Sequence, residues 1–315
     1  WIDYTTNLNM NDSKNRKSVV ILGPTASGKT RLGVQLAHKL NGEILSADSR
    51  QVYIGLDIGT GKDLDEYEGV YPPVRYHLID IVPVDYEFSL YDYLRCFREA
   101  IQDVLSRGKF PVIVGGTGLY LESILEGYSL TKAPPNEALR NELNSLAIEE
   151  LRIKLMQLKP KLHNTTDLLD KERIIRAIEI AIAEKEGGEI ITVPPLQSII
   201  LGVRWERDIL KNRISERLKK RLQQGLIEEV EKLLNHGVSE ERLFQLGLEY
   251  RYVLLFLQGK IKNKNDLFQK LRSAIWEFSR KQEHWFRRFE RSGHYIYWIT
   301  CDEIEQALIW IKNNL

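Results

Sequence analysis

Residues 23–30 read Gly-Pro-Thr-Ala-Ser-Gly-Lys-Thr and satisfy the pattern GxxxxGK[ST]. The β-branched run Val19 to Leu22 stands before it, and Leu32, Leu36 and Leu40 recur four apart after it, with Asn41 and Gly42 stopping the helix. A strand, a glycine-rich turn and a helix in that order form a cradle for an anion. Gly23 and Gly28 let the backbone N–H groups of Thr25, Ala26, Ser27, Gly28, Lys29 and Thr30 turn inward, and Lys29 supplies a point charge. Thr30 offers a hydroxyl to Mg²⁺, and the helix adds its positive end. A diphosphate or triphosphate is expected here.

Further short β-rich runs follow at Glu43 to Ala47, Tyr76 to Ile81, Pro111 to Val114, Ser198 to Val203 and Tyr295 to Ile299, separated by helical patterns. That alternation predicts an α/β fold, P-loop NTPase-like, with a mostly parallel sheet flanked by helices. Between Ala133 and Pro195 the β-type runs disappear, and paired prolines or glycines stand near both ends, which predicts a helical insertion over 133–195. The expected organisation is a polar leader at 1–17, the first part of the core at 18–132, the insertion, and core completion with long basic helices at 196–315. From Asp208 to about Leu234, Ile214, Leu218, Leu222, Leu226, Val230 and Leu233 keep helical spacing, and another helix is expected over about Asp266 to Phe289.

Lys plus Arg number 45 against 44 for Asp plus Glu, so a polyanionic partner must be met by local patches. Two such patches exist: Arg204 to Arg221 holds eight basic residues against three acids, and Lys270 to Arg291 seven against three. Cys96 and Cys301 stand without a CxxC or zinc-type spacing, which favours a reducing, cytoplasmic setting. No apolar run approaches the roughly 18 residues needed to span a bilayer, so no membrane partner is expected.

The phosphate loop alone does not name its ligand. A nucleoside triphosphatase places an Asp at the end of an apolar strand to hold Mg²⁺, yet Pro111 to Val114 runs into Gly115-Gly116-Thr117-Gly118. Asp80, closing Tyr76-His77-Leu78-Ile79-Asp80, keeps a small-molecule kinase among the alternatives.

Together, GPTASGKT (23–30), SADSRQVYIGLDIGTGK (46–62), HLID (77–80) and VGGTGLYLESILEG (114–127) resemble the bacterial tRNA dimethylallyltransferases in order and spacing. Asp170 to Glu179 and Arg280 to Arg287 are similar to two further family segments, so the resemblance runs over nearly the whole chain from Ser18. Two places depart from the family pattern. Leu248-Glu249-Tyr250-Arg251 replaces a Gly-Tyr-Arg turn, and His284 replaces a Thr. The absence of a zinc finger before Leu315 suits a bacterial design.

The resemblance implies transfer of a dimethylallyl group from dimethylallyl diphosphate to N6 of the adenosine 3′-adjacent to the anticodon, in tRNAs reading codons that begin with U. Pyrophosphate is released, Mg²⁺ is the cofactor, and no obligate protein partner is implied. An exocyclic amine is a poor nucleophile, so a carboxylate that accepts its proton helps. The resemblance gives that role to Asp48, at the carboxyl edge of the second strand, where ligands of open α/β sheets bind. The residue's own alternative is a turn or cap aspartate. Thr117 is implied as a donor to the bridging or β-phosphate oxygen of the prenyl donor, and Arg251 as a cation on the diphosphate.

For tRNA binding, the resemblance implies Asp48, Ser49, Arg50 and Gln51, with Gln51 a candidate reader of an adenine edge. It adds Glu172, Arg173 and Arg176 on the insertion, and Arg280 and Gln282 near the C-terminus. At least one basic patch is expected to hold the phosphates of the anticodon stem-loop. The aromatics Trp276, Phe278, Trp285, Phe286 and Phe289 are expected mainly as core. The rival readings are an adenylate isopentenyltransferase acting on free AMP, a small-molecule kinase, and an RNA-binding switch. The insertion and the Arg280 to Arg288 element favour a tRNA acceptor.

Overall fold

The computed structural model describes residues 17–160, 168, 170–194 and 196–315. The expected leader therefore lies outside the described residues except for Lys17, which opens the first strand. In chain order the first half comprises β1 (Lys17–Leu22), α1 (Lys29–Lys39), β2 (Gly42–Ala47), α2 (Asp65–Glu68), β3 (Tyr76–His77), α3 (Leu90–Ser106), β4 (Phe110–Gly115) and α4 (Gly118–Leu125). Then come β5 (Ser129–Thr131), α5 (Glu137–Asn144), α6 (Ile148–Leu158), α7 (Lys171–Lys185) and β6 (Ile190–Thr192). The chain closes with β7 (Gln197–Val203), α8 (Arg207–Gln223), α9 (Leu226–Asn235), α10 (Glu240–Gln245), α11 (Leu248–Leu257), α12 (Lys264–Arg291), β8 (Ile296–Ile299) and α13 (Ile304–Asn314).

Among the described residues the chain forms two compact units, one of Gly127–Pro194 and one of the remainder. The larger unit is built on a sheet of order β3-β2-β4-β1-β7-β8, every pair parallel. Buried on both faces, its strands read as continuous apolar runs rather than alternating ones. Val19, Ile21, Val112, Val114, Leu201 and Val203 pack with Leu32, Leu36, Leu308 and Ile311 of α1 and α13 on one side. A second core gathers Leu210, Ile214 and Leu218 of α8 with Val253, Leu267, Leu271 and Ile275 of α11 and α12. Helix α12 starts where Asn263 caps the Asp266 N–H, and it buries Leu267, Leu271, Ile275, Ser279, Gln282, Phe286 and Phe289 along one stripe.

The smaller unit folds α5, α6 and α7 around Leu143, Leu151, Leu155, Ile174 and Ile178. A short antiparallel pair, β5 with β6, closes it. Strand β6 falls inside the stretch that reads as purely helical. It is three residues long, too short for the period-two signal by which a strand is recognised.

Two other elements differ from expectation. The run Tyr76 to Ile81 keeps only two residues of strand, because Leu78 and Asp80 adopt positive φ of 67° and 55° and turn the chain out of the ladder. The periodicity from Asp208 to Leu234 is two helices, broken at Gly225 with φ 104°. The apolar stripe continues across the break because both helices face the same core.

Candidate active site

Strand polarity builds the site. β1, β2 and β4 are mutually parallel, so the phosphate loop after β1, Asp48 after β2 and the Gly115-Gly116-Thr117 turn after β4 emerge at one edge. They line a cavity of about 760 Å³, whose far wall is α8 with the α10–α11 junction.

Of the loop residues, Thr25, Ala26, Gly28, Lys29 and Thr30 line this cavity. Ala26 and Gly28 take φ of 62° and 90°, the left-handed turns that swing N–H groups to one side. Among the described residues, the N–H groups of Gly28, Lys29 and Thr30 donate to no protein acceptor, which leaves them for an anion. Two expected members behave otherwise. Gly23 lies against Val203, where a Cβ would come within 2.7 Å of its carbonyl oxygen, and Ser27 is fully buried with its hydroxyl unpartnered. Their part is to shape the loop. Trp205 Nε1 donates to the Ser27 carbonyl at 2.8 Å and Arg213 Nε to the Ala26 carbonyl at 2.9 Å, so α8 and its approach hold the loop from behind. The motif gives no hint of this support, because it comes from distant sequence. Burial, and next the neighbouring Arg217, lower the Lys29 amine to about pKa 8.

Asp48 Oδ1 accepts the backbone N–H of Arg50 at 2.8 Å and that of Gln51 at 3.4 Å. The turn role and the placement at the carboxyl edge therefore coexist: one oxygen fixes the turn, and the other has no hydrogen bond among the described residues. Thr117 stands at the N-cap position of α4 without a side-chain capping bond, and its Oγ1 accepts the Ser49 N–H at 3.0 Å. The same hydroxyl donates weakly to Ser49 Oγ at 3.4 Å, a long bond whose proton can turn to a ligand oxygen in the cavity. Gly115 must lack a side chain, since a Cβ would stand 2.2 Å from the Ala47 carbonyl oxygen.

Ser49 and Arg50 line the cavity too. Gln51 does so only as structure, which corrects its expected base-reading role. It is 8% exposed, with Oε1 taking the Ser46 hydroxyl and Nε2 donating to the Gly61 carbonyl, so its amide is committed to the turn. Gln282 is corrected in the same way. Expected at tRNA, it is 9% exposed, and its amide bridges Thr25 N–H and the Gly116 carbonyl.

Arg251 reaches the cavity, stacked 4.3 Å over Phe244 with Nε donating to that residue's carbonyl. Arg280 is exposed on a separate groove of the same unit, shared with Lys281, His284, Arg287 and Trp276. Glu172 and Arg173 are exposed on α7 of the smaller unit, whereas Arg176 pairs with buried Glu179 at 2.9 Å.

Asp80 is not at the site. It pairs with Lys62, a side chain 1% exposed that also holds Asp57 at 2.6 Å and the Tyr53 carbonyl at 2.9 Å. A carboxylate tied to a buried ammonium next to the edge strand β3 is not placed to hold a metal at the phosphate loop. His77 likewise serves structure, 2.7 Å from Glu43.

The sequence marks α8 as a basic patch for RNA, whereas the fold turns Arg213, Arg217 and Arg221 toward the cavity. Arg217 binds Asp63 at 3.0 Å, and Arg221, 7% exposed, binds the Gly59 carbonyl and Glu249, each at 3.2 Å. Burial first, then Arg217, lower Arg221 to about pKa 10. Glu66 also lines the cavity; burial and then Asp63 raise it to about pKa 7, and its Oε2 is buried without a partner. The i+4 spacing of Arg213, Arg217 and Arg221 was the available signal that they share a face.

No helix among the described residues is long and apolar enough to cross a membrane. The IPP transferase family model matches residues 51–289, and an isopentenyl transferase model matches residues 17–79. The chain is 52% identical over 298 residues to tRNA dimethylallyltransferase 2 of Citrifermentans bemidjiense, covering 94% of this chain and 95% of that relative. It is 55% identical over 282 residues to tRNA dimethylallyltransferase 2 of Syntrophotalea carbinolica, covering 89% and 93%. Its fold matches the crystal structure of the full-length tRNA isopentenylpyrophosphate transferase of Bacillus halodurans with a TM-score of 0.69 at 31% identity, over 95% and 96% of the two chains. A eukaryotic dimethylallyltransferase that acts on tRNA shares the fold with a TM-score of 0.75 at 24% identity, over 95% of this chain and 79% of that one. By sequence over most of its length, the chain belongs to the IPP transferase family.

Proposed function

We propose that the chain is a tRNA dimethylallyltransferase, moving a dimethylallyl group from dimethylallyl diphosphate to N6 of the adenosine 3′-adjacent to the anticodon. The observation that carries this is one cavity holding a phosphate cradle beside a carboxylate and a hydroxyl, Asp48 and Thr117. Where a triphosphatase keeps a metal-binding acid at a strand end, β4 delivers Gly115-Gly116 instead.

The diphosphate lies against the N–H groups of Gly28, Lys29 and Thr30, with Lys29 and Arg251 as cations. The adenine amine attacks C1 of the allyl group, the C1–O bond breaks, and pyrophosphate leaves with the electron pair. The N6 proton passes to the Asp48 oxygen that the turn does not use. Thr117 donates to the leaving oxygen. Charge builds on the leaving diphosphate, so fixed donors aimed at it contribute most.

Thr30 is the side chain suited to Mg²⁺. Its hydroxyl lines the cavity beside the loop N–H groups and would hold the ion there. When bound, the ion neutralises diphosphate charge. Ser49 and Arg50 contact the anticodon loop, Arg280 and Arg287 meet its stem phosphates, and Glu172, Arg173 and Arg176 contact it from the smaller unit. A target in a loop costs less to extrude than one in a duplex. The thiols of Cys96 and Cys301, both free, suit the cytoplasm.

The test is incubation of labelled dimethylallyl diphosphate with unmodified tRNA, with AMP, or with neither, beside a parallel incubation with ATP. Label in tRNA alone supports the proposal. Label in AMP assigns the acceptor to the free nucleotide, and steady ATP hydrolysis with no prenyl transfer restores the kinase reading.

A further inference from the structure

The ladder between β1 and β4 ends at Leu22 opposite Gly115. Past that point two loops with different tasks run on side by side. One cradles the diphosphate; the other carries Thr117, which is bonded to the turn of Asp48 through Ser49. Among the described residues, no backbone hydrogen bond joins residues 23–30 to residues 115–118.

A side chain from a distant helix makes the join. Gln282 on α12 accepts the Thr25 N–H with Oε1 at 2.8 Å and donates Nε2 to the Gly116 carbonyl at 3.0 Å, like one more rung of the sheet. The amide's position is set by its helix, where Ser279 and Phe286 on the same stripe are fully buried. Gly116 is shaped around it: a Cβ there would stand 2.6 Å from Gln282 Nε2 and 3.1 Å from the Gly23 carbonyl oxygen. Thr25 thus turns its N–H away from the anion, as Ser27 does toward the Pro24 carbonyl at 3.3 Å.

We propose that Gln282, at the cavity wall with both polar atoms of its amide committed to the protein, is a positioning residue for prenyl transfer that sets the distance between the diphosphate cradle and the Asp48–Thr117 pair. This rests on the transfer reaction proposed above. In-line displacement is sensitive to errors on the order of 1 Å between reacting groups. The join is directional, because it needs an acceptor toward Thr25 and a donor toward Gly116. Methionine has no donor, and an ionised carboxylate has none either. A protonated carboxyl has both.

The experiment compares Gln282→Glu and Gln282→Met with wild type for kcat at saturation, tRNA affinity, inorganic pyrophosphate affinity and thermal midpoint, from about pH 5 to 8. Both variants are expected to lose roughly 10- to 100-fold in kcat near neutral pH, with weaker pyrophosphate binding and tRNA affinity unchanged. The deficit of Gln282→Glu shrinks as pH falls and the introduced carboxyl gains its proton, whereas that of Gln282→Met stays constant. A role confined to stability would move the thermal midpoint without this pH-dependent ratio, and that result overturns the proposal. So does weakened tRNA binding with kcat intact, which would make Gln282 an RNA contact. If the wild-type protein transfers no prenyl group, the reaction reading fails by itself. The join is then decided by pyrophosphate affinity, and equal affinity in all three proteins at every pH overturns it.

Discussion

Replacing Asp48 by Asn separates its two duties. Oδ1 accepts two backbone N–H groups at 2.8 and 3.4 Å, and an asparagine oxygen accepts the same pair, so the turn survives. A proton acceptor is removed, and the expected fall in kcat is about 10² to 10⁴, the range of a positioned general base. Alanine removes the turn bonds as well. At about 1 kcal/mol per bond, with a discount for the half-buried site, Asp48→Ala should cost a further ~1–2 kcal/mol of stability that Asp48→Asn does not. Single-turnover transfer with saturating tRNA and donor measures the first effect, and thermal unfolding of both variants measures the second. Asp48→Asn with wild-type turnover would refute the base assignment, and the carboxylate would then be a turn former only.

Charge reversal of Arg280 and Arg287, both exposed, should lower the slope of log tRNA affinity against log salt by about 0.7 to 0.9 for every phosphate that is no longer neutralised, with unfolding unchanged; an unaltered slope removes this face from the RNA interface. Arg221→Ala should do the reverse, destabilising the fold by roughly 3 kcal/mol because Glu249 loses its buried partner, and an unchanged unfolding midpoint would contradict that. Lys29 sits near pKa 8 in the cradle, so it is charged below that value and neutral above it. Pyrophosphate affinity should therefore weaken as pH rises through about 8, and Lys29→Met should bind more weakly with a flatter profile; parallel profiles would exclude Lys29 as the cause. Glu66 has its pKa raised to about 7 on folding, so the folded state binds more protons than the unfolded one between its ordinary value and 7, and stability falls as pH rises through that window. Thermal midpoints of Glu66→Gln from about pH 5 to 8 should lack this component, and identical curves would refute it.

What the sequence disclosed was what neighbouring residues determine. The cradle motif, the strands before and after it, and Asp48 at a strand end are local patterns, and a parallel sheet then brings their ends to one edge without further information. The orientation of side chains is not local. Gln51 and Gln282 sit in segments that read as RNA contacts, yet burial against Ser46, Gly61, Thr25 and Gly116 commits both amides to the protein. Arg221 counts toward a basic patch in the sequence and is spent on Gly59 and Glu249 in the fold. Asp80 is a strand-end acid by pattern, but its positive φ and the buried Lys62 take it out of the site. Net charge along a helix says how many cations there are, and only packing says which of them face water.

The central claim is tested most directly by the product itself. Unmodified tRNA treated with the protein and dimethylallyl diphosphate is digested to nucleosides and analysed by mass spectrometry, with pyrophosphate measured in the same reaction. The account predicts an adenosine enlarged by one C5H8 unit on N6, located 3′-adjacent to the anticodon, with one pyrophosphate released for each modified residue. Adenosine left unchanged, with or without release of pyrophosphate, would contradict it.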